Sequence, residues 1–147
     1  MVYLASHGDE ANIYPTDSKQ ISRTVLRNSL VRANKKGQVK GIYLGTCMTG
    51  NSKVAGFFLK HKAANLQWLA GYSGTVDWID GTAIDMVFFS KLAALQVSNK
   101  SKKKKLTHRQ MAHQAATHLI KVVPGAHATY GFNIFFKEKN DLSSMFG

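Results

Sequence analysis

The sequence contains a single cysteine, Cys47, in 147 residues. One thiol cannot form an internal disulfide, and no cysteines and histidines follow the spacing of a zinc site. The other histidines offer no second site, because His108, His113 and His118 recur every five residues and so spread around a helix. We therefore expect a cytoplasmic protein without metal or cofactor, in which Cys47 needs its own explanation.

Long apolar runs are also missing. No stretch approaches the roughly 20 apolar residues of a membrane-spanning helix, and the N-terminus lacks the basic region and apolar core of a signal peptide. Hydrophobic residues nevertheless make up 44% of the chain, which is enough to bury a core without disulfides. We expect residues 1–147 to form one domain that does not contact a membrane.

Acidic residues are scarce. Eight Asp and Glu face 20 Lys and Arg, for a net charge of +12, and none occurs from Ser18 to Val76 or from Met86 to Lys137. Such a charge favours anionic partners, nucleic acid among them. The densest basic run, "NKSKKKKLTH", has no interleaved aromatic residue and no nucleic-acid motif. We expect it to be a surface loop first and a binding patch second.

The chain alternates strand-like and helical patterns. Strands are predicted at 2–5, 39–44, 66–74 and 130–136. The helices between them are expected to be capped by Thr16 or Asp17, by Asn51 or Ser52, and by Thr107. The longest helix is expected to begin at Thr82. Strands separated by helices predict an α/β fold with a mostly parallel sheet and helices on both of its faces.

Two of these strands end at reactive side chains. "VYLASHGDE" leads into His7, and "GIYLGTCMTGN" leads into Cys47. Sites in open parallel sheets form beyond the carboxyl ends of the strands, so neighbouring strands would bring the imidazole and the thiol together. The N–H groups of Gly8 and Cys47 could then form an oxyanion hole. Taken singly, such a cysteine is more often a small buried hydrophobe and such a histidine a turn residue.

"VYLASHG" and "IYLGTC" resemble the paired motifs of caspase-like (clan CD) cysteine peptidases. The segment from Asn51, "NSKVAGFFLKHKAANLQWLAGYSGTVDWIDGTAIDMVFFSKLAAL", looks like the stretch that follows the cysteine in CHAT domains and separases. The resemblance extends from residue 2 to about residue 123. It implies a caspase-like three-layer α/β/α sandwich, with His7 as general base, Cys47 as nucleophile and Gly8 at the oxyanion position.

The resemblance also suggests a substrate pocket. The turn "TVDWIDG" matches the region that lines the S1 pocket in several relatives, so Asp77 and Asp80 are candidates for binding a basic P1 side chain, with Asp85 as a third. Capping and dipole compensation at the start of the long helix explain Asp80 and Asp85 at least as well.

One departure from the family concerns the N-terminus. Relatives have one or two strands and a helix before the His-Gly strand, so the domain looks N-terminally truncated, and a partner protein is expected to regulate it or to complete its sheet. Two functions follow from the sequence. One is a cysteine endopeptidase that cleaves a protein substrate after a basic residue, under the control of that partner. The alternative is a non-catalytic scaffold or binding module whose basic surface contacts nucleic acid.

Overall fold

The computed structural model describes residues 1–15, 19–139 and 141–146. The strands are β1 (Val2–Ala5), β2 (His7–Gly8), β3 (Asn12–Tyr14), β4 (Ile21–Ser22), β5 (Gly41–Gly45), β6 (Trp68–Tyr72), β7 (Phe132–Lys137) and β8 (Leu142–Ser144). The helices are α1 (Arg23–Ala33), α2 (Ser52–Leu59), α3 (Trp78–Asn99), α4 (His108–Val122) and α5 (Gly125–Ala128), with a 3₁₀ turn at Lys62–Ala64. In this part of the chain, no helix combines the length and the apolarity needed to cross a membrane.

The main sheet has five strands in the order β1-β5-β6-β7-β8. The pairs β1–β5 and β5–β6 are parallel, whereas β6–β7 and β7–β8 are antiparallel. The α/β class is confirmed, but the sheet is mixed. Two consecutive helices, α3 and α4, lie between β6 and β7 and return the chain to the end of the sheet that it left, so β7 has to run against β6. The parallel part contains the two strands, β1 and β5, that lead to His7 and Cys47.

Each face of the sheet packs against its own set of helices. Alternation along the strands sends successive side chains to opposite faces. Tyr43 packs with α3 and α4, whereas its neighbours Ile42 and Leu44 pack with α1 and α2. Both cores are dense, and their largest fully buried side chains include Tyr43, Tyr72, Phe58, Phe88 and Phe132.

Several helix boundaries follow the predicted caps. Asn51 caps α2 by accepting a hydrogen bond from the N–H of Val54. Thr107 forms a capping box at the start of α4. The prediction for α3 was wrong, because this helix starts at Trp78 with Asp77 as its cap, four residues before Thr82.

The start of α1 also differs from the prediction. Thr16 and Asp17, the predicted caps of the first helix, lie outside the described residues. Ser22 caps α1, because a small second sheet of β2, β3 and β4 comes between β1 and this helix. The sequence analysis did not predict this sheet.

Candidate active site

The site starts from the pairing of β1 with β5. Ala5 and Gly45 are the last partners in this parallel register, and His7 and Cys47 each follow two residues later. Both side chains therefore lie at the same end of the sheet, where they line one cleft, called here the dyad cleft. The other residues of the dyad cleft are Tyr3, Ala5, Ser6, Gly45, Tyr72, Val76, Asp77, Trp78, Gly81, Thr82 and Asp85. Its cavity volume is about 30 Å³, which is room for only about two water molecules, so the cleft is narrow.

Cys47 is half-buried, and its thiol faces the turn that follows β6. Its Sγ lies 3.5 Å from the backbone N of Val76 and 3.6 Å from the carbonyl O of the same residue. The backbone after Cys47 is tightly constrained. Met48 adopts a left-handed conformation with φ of 60°, and a Cβ on Gly50 would lie 2.3 Å from the carbonyl O of Gly71. The sulfur is thus held in a defined position beside β6.

His7 is exposed at the mouth of the dyad cleft. Its ring meets the indole of Trp78 edge to face, with 5.4 Å between ring centroids and an interplanar angle of 86°. Among the described residues, no side chain or backbone group forms a hydrogen bond with either ring nitrogen of His7. No carboxylate therefore orients this imidazole, and Trp78 is its aromatic neighbour.

Gly8 lies beside the cysteine turn without lining the dyad cleft. A Cβ on Gly8 would lie 3.0 Å from the carbonyl O of Asn12 and 3.3 Å from Cγ2 of Thr46, the residue before Cys47. A larger residue at position 8 would therefore press on Thr46 and shift the turn that holds Cys47. The oxyanion role of Gly8 and Cys47 stays a prediction.

The three candidate carboxylates have different environments. Asp77 lines the dyad cleft, but its Oδ1 accepts hydrogen bonds from the N–H groups of Ile79 and Asp80. These hydrogen bonds lower the pKa of Asp77, and the one from the backbone of Asp80 has the larger effect. Asp80 accepts a hydrogen bond from the hydroxyl of Tyr130 and lines a separate groove. Asp77 thus caps α3, a role that the sequence analysis had assigned to Asp80 and Asp85, whereas Asp80 lies in the first turn of the helix as expected.

Asp85 lies in the third turn of α3, and the expectation that it caps the helix was wrong because α3 begins seven residues earlier. Only 4% of Asp85 is exposed. Its Oδ2 accepts a hydrogen bond from Tyr3 at 2.6 Å, and its Oδ1 accepts hydrogen bonds from Tyr43 and Tyr72 at 2.5 Å each. Asp85 is therefore a buried carboxylate on the wall of the dyad cleft.

The tyrosines around Asp85 were missed by the sequence analysis. Burial raises the pKa of Tyr3, Tyr43 and Tyr72, and the Asp85 carboxylate raises it further, so all three hydroxyls stay protonated and donate. One signal was available, since "VYLA" and "IYLG" place Tyr3 and Tyr43 at the same position of two similar strands. The structure pairs these two residues in register.

The described residues contain no group of three or more His, Cys, Asp or Glu side chains that could hold a metal ion. No family model, curated protein or solved structure matches this chain. The resemblance to caspase-like peptidases is thus a prediction from short motifs, and the function has to be inferred from the dyad cleft.

Proposed function

We propose that this chain is a cysteine endopeptidase domain of the caspase-like type, with His7 as general base and Cys47 as nucleophile. One observation carries the proposal. Two residues that lie forty positions apart follow adjacent parallel strands and line the same cleft, together with a buried carboxylate. An imidazole and a thiol in one cleft are the minimal set for nucleophilic catalysis by cysteine.

The chemistry proceeds in two steps. His7 accepts the thiol proton, and Sγ of Cys47 attacks the scissile carbonyl carbon to form a tetrahedral intermediate, whose oxyanion accepts hydrogen bonds from the N–H groups of Gly8 and Cys47. The carbon–nitrogen bond breaks as His7 returns the proton to the leaving amine. Water, deprotonated by His7, then hydrolyses the thioester, which releases the acid and restores the thiol.

Asp85 is the carboxylate that we propose for recognition of a basic P1 side chain. The carboxylate of Asp77 is already engaged in capping α3, and Asp80 lines another groove. Asp85 lies on the dyad cleft, and among the described residues its Oδ2 accepts a hydrogen bond only from Tyr3. Because the cleft is small, entry of a lysine or arginine side chain requires the half-exposed Tyr3 to turn away from Asp85.

The edge position of β1 supports the proposal of a protein partner. β1 is the first strand of the main sheet, and its outer backbone groups have no strand beside them among the described residues. Such an edge can accept a further strand. A partner strand on β1 would contact the strand that carries Tyr3, and it would thereby control access to Asp85. We propose a regulatory or sheet-completing partner here, in the cytoplasm.

The test of catalysis is hydrolysis of fluorogenic peptides with arginine or lysine at P1. We expect Cys47→Ala and His7→Ala to abolish turnover with an unchanged circular dichroism spectrum, because Cys47 lies in a turn, His7 is exposed on the short strand β2, and neither belongs to a hydrophobic core. His108→Ala, which removes an exposed histidine of α4, serves as the matched control. Turnover by Cys47→Ala equal to that of the parent would eliminate the thiol mechanism.

A second candidate function is nucleic-acid binding by a non-catalytic module. The lysines at 100 and 102–105 are all exposed in the loop between α3 and α4, and within the described residues none of them forms an ion pair. Unpaired lysines bind phosphates by releasing counterions. This loop is the surface that we propose for the alternative function.

A further inference from the structure

The segment of residues 75–78, which follows β6 and ends at the first residue of α3, contacts both members of the proposed dyad. Val76 contacts the thiol of Cys47, and Trp78 contacts the imidazole of His7. We propose that Trp78 is a positioning residue that holds the imidazole of His7 in orientation for proton transfer from Cys47. This inference rests on the proposed peptidase function and adds a third side chain to it.

The need for such a residue follows from the surroundings of His7. An exposed histidine populates several staggered rotamers unless a neighbour selects one. In many hydrolases a carboxylate does this through a hydrogen bond to the second ring nitrogen. Among the described residues no group bonds to the His7 ring, and the indole of Trp78 is its only aromatic contact. The edge-to-face geometry is one that aromatic pairs prefer.

Trp78 is itself held in place. It is the first residue of α3, and the preceding Asp77 accepts two N–H groups of the first helical turn. Val76, two residues before Trp78, is held against the sulfur by its N–H and its carbonyl. The positions of Trp78 and of the thiol are therefore linked through one short segment. The indole can fix His7 relative to Cys47 because both contacts arise from the same short segment, two residues apart.

Trp78 is too exposed to be explained as a residue of the hydrophobic core. The side chain is 53% exposed, and its neighbour Ile79 is 83% exposed. Because more than half of Trp78 lies in solvent, burial in the core does not by itself account for a tryptophan at this position. Removal of the indole should leave α3 folded, since Asp77 still caps it, while His7 gains rotameric freedom.

The test uses alkylation of Cys47 by iodoacetamide, because this is the only cysteine and no peptide substrate is needed. Rates are measured from about pH 6 to about pH 9, a range that spans the titration of free imidazole and thiol groups. The proteins are the parent, His7→Ala, Trp78→Ala, Trp78→Phe and the double variant. Ile79→Ala is the matched control, since it truncates the adjacent exposed side chain.

We expect Trp78→Ala to lose roughly twofold to tenfold in rate near pH 6, the range that an edge-to-face aromatic contact supports. Near pH 9, where the solvent deprotonates thiols without help, the loss should vanish. Trp78→Phe should keep most of the parent rate, and Ile79→Ala all of it. In the His7→Ala background, Trp78→Ala should have no further effect, because the indole acts through the imidazole.

Three outcomes would overturn the inference, and they differ in what else they affect. If His7→Ala lowers the rate near pH 6 but Trp78→Ala matches the parent, Trp78 positions nothing and the proposed dyad stands. If His7→Ala matches the parent at every pH, the dyad fails and the role of Trp78 fails with it. If Trp78→Ala lowers the alkylation rate also in the His7→Ala background, the indole acts on the accessibility of the thiol and not through the imidazole, which would also refute the positioning role.

Discussion

Replacement of Asp85 by asparagine separates the charge of this side chain from its packing. The amide has nearly the shape of the carboxylate, so the hydroxyls of Tyr43 and Tyr72 can still donate to its oxygen. The amide nitrogen can donate to the oxygen of Tyr3. Hydrogen bonds to a charged group contribute about 1.5–3 kcal/mol, against about 0.5–1.5 kcal/mol for neutral ones. Removal of a buried charge also relieves its desolvation penalty. We therefore expect Asp85→Asn to lose only about 1–3 kcal/mol of unfolding free energy.

We expect Asp85→Asn to have a large effect on the choice of the P1 residue, although its effect on stability is modest. A charge-assisted hydrogen bond of about 1.5–3 kcal/mol to a basic P1 side chain corresponds to roughly tenfold to hundredfold selection over a neutral residue. Asp85→Asn should remove most of this preference. The assay compares kcat/KM for two peptides that differ only in arginine or glutamine at P1. The ratio is independent of the folded fraction, because both peptides meet the same preparation.

Asp80→Asn is the matched control, since Asp80 bonds to Tyr130 outside the dyad cleft. Its arginine-to-glutamine ratio should equal that of the parent. An unchanged ratio in Asp85→Asn would refute the assignment of the P1 carboxylate. Cleavage after aspartate by the parent would refute a basic P1 preference altogether.

Three further predictions concern titration, the basic loop and a helix cap. All five tyrosines have a raised pKa, three mainly through burial and Tyr14 and Tyr130 mainly through hydrogen bonds to carboxylates. Because the folded protein holds these protons more tightly than the unfolded chain, the tyrosines contribute stability that is fully present below about pH 10 and is lost as the pH rises further. Absorbance at 295 nm should therefore show tyrosinate forming together with alkaline unfolding. Ionisation of the tyrosines near pH 10 in a protein that is still folded would contradict this. Changing the lysines at 102–105 to glutamine should leave peptide cleavage unchanged and reduce the slope of log affinity for single-stranded nucleic acid against log salt by up to about 3, whereas salt-independent binding would exclude the electrostatic account. Thr107→Ala should lower the unfolding free energy by about 1 kcal/mol in urea titrations, and Thr107→Ser should restore it; equal midpoints for Thr107→Ala and the parent would show that this cap contributes nothing.

Local features of the fold could be predicted because short segments determine them. The caps at Asn51 and Thr107 depend on a side-chain oxygen and on N–H groups two or three residues later. The strands before His7 and Cys47 depend on short apolar runs bounded by small residues. Their placement at one end of the sheet followed from the rule that a right-handed crossover joins neighbouring parallel strands. The sequence alone therefore determined that these two side chains belong to one region.

The direction of β7 and the roles of the three carboxylates depended on tertiary structure. β7 runs antiparallel because α3 and α4 together reverse the chain twice, which no local pattern of its own sequence encodes. Asp77 and Asp85 lie eight residues apart in the sequence, yet the first caps α3 and the second is buried within it. Asp85 is surrounded by tyrosines from β1, β5 and β6, and these meet only when the register pairs Tyr3 with Tyr43 and packs α3 across the sheet. A buried carboxylate needs several donors at once, and only the assembled sheet supplies them from strands that are distant in sequence.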